Sequence, residues 1–96
     1  MNELINELIN ELIRELKVKI IETLNLIDVF PEDINEDSQL IGGDLGLDSI
    51  DVLELVMMLE KDYDVKIDSK ETGVKVFFSV RALADYVHHH RSGNIN

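Results

Sequence analysis

Apolar residues recur along the first 24 positions in a helical rhythm. The tetrapeptide Asn-Glu-Leu-Ile repeats three times from Asn2 to Ile13, and apolar positions continue at Leu16, Ile20, Ile21 and Leu24. A four-residue repeat misses the helix turn by about 40° at each step, so the Leu-Ile stripe winds slowly around the axis. The pattern predicts one long first helix. Its later part turns Leu16, Ile20, Ile21 and Leu24 to a core, while Leu4, Leu8 and Leu12 form an N-terminal helical extension over residues 1–15 that is free to pack on something else. Pro31 closes this region. Residues 32–48, rich in Asp, Asn, Ser and Gly, predict a long ordered loop, pinned by Val29, Phe30, Ile34, Leu40 and Leu45.

A second helix is predicted from Ser49 to about Tyr63, with Asp48 or Ser49 at its cap and Asp51 in the first turn, where a carboxylate suits the dipole. At about 100° per residue its apolar side chains fall into two groups. Val52, Leu55, Val56, Leu59 and Tyr63 form a broad core stripe. Ile50, Leu53 and Met57 form a second strip framed by Asp48, Asp51, Glu54, Glu60 and Asp64. In a chain this short the second strip is expected at the surface, where carboxylates attract a basic partner and the apolar residues hold it. Flexible Met57 suits several partners. Ser69 to Thr72 predicts a short helical turn, which Gly73, Val74 and Val76 keep from growing long. Ser79 reads as the N-cap of a last helix, Val80 to about His90, with Val80, Leu83, Ala84 and Val87 on one face. The expected fold is all-α: a small bundle of three main helices plus a short third helical turn, the domain proper spanning 16–90 and a polar tail 91–96.

Charge narrows what such a domain meets. Twenty acidic against nine basic side chains leave a net charge of -11. That repels nucleic acid and anionic membrane surfaces and favours basic protein surfaces. There is no cysteine, hence no disulfide or thiolate site. The apolar start is broken by Asn and Glu, so neither a signal peptide nor a membrane span is expected, and a cytoplasmic protein is. Asp33, Asn35, Asp37, Gln39, Ile41 and Asp44 have calcium-loop spacing, but Ser38 stands where the turn needs glycine and Asp44 where a bidentate Glu is needed. Adjacent His88, His89 and His90 point about 100° apart on a helix and do not converge on a metal. No base or oxyanion hole accompanies Ser49, so a hydrolase is excluded, and no catalytic residue or metal ligand is assigned.

One segment is specific: Leu45-Gly46-Leu47-Asp48-Ser49-Ile50-Asp51, followed by Leu53-Glu54-Leu55-Val56-Met57 and Leu59-Glu60. It resembles the phosphopantetheine attachment site of acyl carrier proteins, and the likeness runs roughly from Leu16 to Val87. The resemblance implies that Ser49 carries a 4′-phosphopantetheine arm bearing acyl groups as thioesters. The arm would be installed by a phosphopantetheinyl transferase from coenzyme A with magnesium. Unpaired amides at a helix N-terminus would favour the resulting anion. It also implies that Asp48, Asp51, Glu54 and Glu60, with Ile50, Leu53 and Met57 between them, meet acyl synthases and acyltransferases of fatty acid or specialised acyl and polyketide biosynthesis. The core stripe would line a cavity sheltering the acyl chain. Leu47 replaces a smaller residue, Lys61 interrupts the acidic run, and Val74 to Phe78 is more apolar than the usual third helix, which points to a specialised carrier. A peptidyl or D-alanyl carrier is a lesser alternative. The runner-up is an acidic helical interaction module whose Ser49 is never modified. A monomer is expected, with self-association through the repeat helix left open.

Overall fold

A computed structural model describes residues 2–43 and 45–90; Asp44, the last position of the calcium-loop pattern, and the polar tail at 91–96 lie outside the described residues. The architecture is all-helical: α1 (Asn2–Leu24), a 3-10 turn (Pro31–Asp33), α2 (Ser49–Tyr63), α3 (Lys70–Val76) and α4 (Val80–His90). α1 packs on both α2 and α4, and α3 on α4. One core joins Leu16 and Ile20 of α1, Leu55, Leu59 and Tyr63 of α2, Phe77 of the α3–α4 turn, and Val80, Leu83, Ala84 and Val87 of α4. No described helix is long and apolar enough to cross a membrane.

Each boundary has a local cause. α2 stops at Asp64, which turns into the left-handed region (φ 56°) and donates its N–H back to the Leu59 carbonyl. Ser69 caps α3 by accepting the Thr72 N–H at 3.1 Å. Buried Ser79 caps α4 by accepting the Ala82 N–H at 3.1 Å. α3 runs to seven residues in spite of Gly73 and two valines, because Val76 and Phe77 drive into the core and tertiary burial outweighs local propensity.

The long loop is held at both ends. Ile34 and Leu40 are buried, and Val29 and Leu45 pack half-buried against the core. Phe30, expected to pin the loop, is exposed; the chain is instead turned there by its own N–H donating to the Asp33 carboxylate at 3.0 Å. Leu40 N–H donates to the Phe78 carbonyl and Arg81 N–H to the Glu36 carbonyl, both at 2.9 Å, which fastens the loop to the start of α4. Lys17 bonds the Glu36 carboxylate at 2.9 Å, and Arg81 bonds Asp37 at 2.6 Å. The Lys17 hydrogen bond holds the Glu36 carboxyl below its ordinary range. In α1, Leu12 and Ile13 are already buried, so the core begins a turn earlier than Leu16, while Leu4 and Leu8 stay at the surface.

Candidate functional site

The loop delivers Ser49 to the start of α2 through a tight glycine turn. At Gly43 a Cβ would lie 1.9 Å from the Gln39 carbonyl oxygen, so no side chain fits. Gly46 takes φ +66°, a conformation that L side chains rarely adopt. The chain then closes on itself, with Gly42 N–H donating to the Leu47 carbonyl at 3.3 Å and Ile41 bridging Leu47. Leu47 is buried, which anchors the residue two before the serine.

Asp48, not Ser49, is the cap. Its Oδ1 accepts the N–H groups of Ile50 at 3.0 Å and Asp51 at 3.1 Å, and its own N–H donates to Asp51 Oδ2 at 3.1 Å. This reciprocal capping box uses the two carboxylates to fix the turn. It also corrects one expectation, since the amides of Ile50 and Asp51 are already taken and do not cradle an anion on Ser49. Ser49 itself is the first helical residue and exposed, and among the described residues no side chain bonds its hydroxyl.

Beside Ser49 a groove of about 610 Å³ opens between α2 and α3. Its walls are Ile41, Ile50, Val52, Leu53, Val56, Ile67 and Val74, with Asp68 and Ser69 polar. The helix stripe therefore divides. Leu55, Leu59 and Tyr63 lie within the packed core together with Met58, while half-buried Val52 and Val56 pack against that core and also line the groove. Ile41, Ile67 and Val74 escaped sequence reading because the loop and α3 bring them to α2 from a distance in the chain. Ile50, Leu53 and Met57 are 69, 63 and 67% exposed, so that strip is surface and not core. Glu54 and Glu60 are exposed along its edges.

Among the described residues no cluster of acidic or histidine side chains could hold a metal ion. His89 and His90 each turn Nδ1 to a carbonyl one turn back, that of Asp85 at 2.8 Å and of Tyr86 at 3.0 Å.

A family model described as "Phosphopantetheine attachment site" matches residues 20–87. The chain belongs to that family. The prosthetic group this implies is 4′-phosphopantetheine, and the exposed, unencumbered Ser49 hydroxyl has the room to bear one. The chain is 46% identical to an acyl carrier protein of Sulfurovum sp. over 52 residues, 54% of this chain and 64% of that protein. It is 43% identical to an acyl carrier protein of Wolinella succinogenes over 56 residues, 58% of this chain and 68% of that protein. The matches thus span about two-thirds of the length of these curated relatives.

Proposed function

We propose that this chain is an acyl carrier protein and that Ser49 is its attachment residue. One observation carries the assignment: the exposed Ser49 hydroxyl lies at the mouth of an aliphatic groove, inside the matched region. Ser69 and Ser79 have their hydroxyls committed to helix caps, and Ser38 is half-buried. In the loading reaction Ser49 Oγ attacks the β-phosphorus of coenzyme A. The new phosphodiester forms as 3′,5′-ADP leaves, and the serine proton passes to a base on the transferase. The chain is then a substrate and not an enzyme. The group supplies a terminal thiol for thioester formation; the domain supplies the exposed serine, the groove and the partner surface.

Partners are a phosphopantetheinyl transferase and acyl synthases and acyltransferases with basic docking surfaces. Ile50, Leu53 and Met57 form the apolar contact, and Glu54 and Glu60 the charged edges that steer encounter. Asp48 and Asp51 contribute charge while holding the cap. The aliphatic walls of Val52, Val56, Ile67 and Val74 shelter the acyl chain. The carrier works as a monomer in the cytoplasm. Its test is intact mass after incubation with coenzyme A, magnesium and a broad-specificity transferase. One arm is expected on the native chain and none on Ser49→Ala. Modification at Ser38, Ser69, Ser79 or Ser92 would overturn the assignment.

A further inference from the structure

α1 outruns α2 at the end remote from Ser49, although its Asn6, Ile9 and Asn10 still border a groove with Ser79 and with Arg81, Ala82 and Asp85 of α4. Thr23 shares a surface groove with Glu54, Met57 and Met58, Lys19 pairs with Asp62 at 3.1 Å, and the Tyr63 hydroxyl donates to Glu15. α1 and α2 therefore run antiparallel, and α2 ends beside Glu15. At 1.5 Å per residue, Leu4 lies about 16 Å beyond that point. Leu4, Ile5 and Leu8 are 62, 44 and 43% exposed, and only Ile9 beside them is half-buried. Glu3, Glu7 and Glu11, all exposed, run along the outer edge of this strip, and Asn6 and Asn10 along the edge that faces the α4 groove.

We propose that the exposed Leu4-Ile5-Leu8 strip with its Glu3-Glu7-Glu11 edge docks a basic amphipathic helix of a partner protein, separate from the α2 strip. Charge decides the occupant. A second copy would bring a net charge of -11 against -11. Paired antiparallel, it would lay the Glu3-Glu7-Glu11 edge against its own counterpart; paired parallel, it would crowd two acidic bundles at one end. Three part-exposed aliphatic side chains fall far short of the roughly 800 Å² per partner that a stable interface takes, so nothing offsets that repulsion. A partner with Lys or Arg beside its apolar stripe turns the same edge into attraction. A contact this small then serves a weak, fast-exchanging tether. Because the overhang and Ser49 lie at opposite ends of α2, a partner held there leaves Ser49 and the groove accessible.

The test uses the full-length chain, isotope-labelled, titrated with a synthetic amphipathic Leu-Lys helix and with its Leu-Glu counterpart. The expected result is chemical-shift change at residues 4–12 with the Leu-Lys peptide alone, fading as salt is raised. Leu4→Ser with Leu8→Ser should weaken that binding about tenfold, equivalent to about 1.4 kcal/mol. Both positions are exposed, so an unchanged melting curve should accompany the loss. Shifts confined to Ile50–Met57, or absent, would overturn the proposal. Equal binding of the Leu-Glu peptide would also do so. Concentration-dependent dimerisation removed by the same double substitution would overturn it in favour of a second copy.

Discussion

Leu59 and Met57 sit two positions apart on α2 and face opposite environments, so truncating each separates the core from the partner surface. Leu59 is fully buried within the cluster that joins α1, α2 and α4. Leu59→Ala removes three carbons from a packed site and leaves a cavity that a small bundle cannot fully close. The expected cost is about 2 to 5 kcal/mol. A domain of this size has about 5 to 15 kcal/mol in total, so the loss is a large share of its stability. At about 4 °C or more per kcal/mol, the melting temperature should fall by at least about 8 °C. Met57 is two-thirds exposed, and Ala is the better helix former, so Met57→Ala should stay within about 0.5 kcal/mol of the native chain. Its effect belongs in partner binding, as a faster dissociation of the docked complex. Urea or thermal unfolding of both variants, together with transferase kinetics, reads the two effects separately. Equal destabilisation by the two substitutions with unchanged partner kinetics would refute the division of α2 into a core face and a docking face.

Charge reversal at exposed Glu54, Glu54→Lys, should slow association with a basic partner several-fold at low salt and leave the unfolding free energy within about 0.5 kcal/mol of native; stopped-flow association across a salt series, with urea unfolding beside it, checks this. Acid should loosen the loop through Glu36, whose carboxyl is held low by the hydrogen bond from Lys17. The folded chain keeps this group ionised at pH values where the unfolded chain protonates it. Its contribution is therefore full above the ordinary value of 4.5 and is lost as pH falls below that. The pair is partly exposed, so about 0.2 to 1 kcal/mol is at stake, and Glu36→Gln should reduce stability at pH 7 by that amount while converging with the native chain as urea titrations are taken progressively below pH 4.5.

Helix positions were legible because their signals are local. The two-faced spacing of α2, Ser79 before the last helix and the acidic frame around Ile50, Leu53 and Met57 all reside within a few residues of the elements they describe. The groove was less legible. Val52 and Val56 pack against the core as their stripe predicts, but that they also wall a groove depends on the placement of Ile41, Ile67 and Val74, and so on how the loop and α3 return to α2. Phe30 failed as an anchor for the same kind of reason: hydrophobicity names a candidate for burial, while the Asp33 contact sets which way the backbone turns.

The capping residue bears on the proposed attachment, because it decides whether a serine at this helix start could be modified without disturbing the fold. Had Ser49 been the cap, its hydroxyl would be holding the first turn, and esterification would remove an interaction worth about 0.5 to 2 kcal/mol. Ser69 and Ser79 are in that position, each bonded to the amide three residues on. At α2 the task falls to Asp48, locked to Asp51 in a two-way box, which leaves the next hydroxyl outside the hydrogen bonding of the described residues. Attaching an arm there breaks nothing, and the domain need not rearrange between its unloaded and loaded forms. The same box sets two carboxylates beside Ser49, so under the proposed assignment the turn that frees the hydroxyl also supplies the negative charge that draws a basic partner.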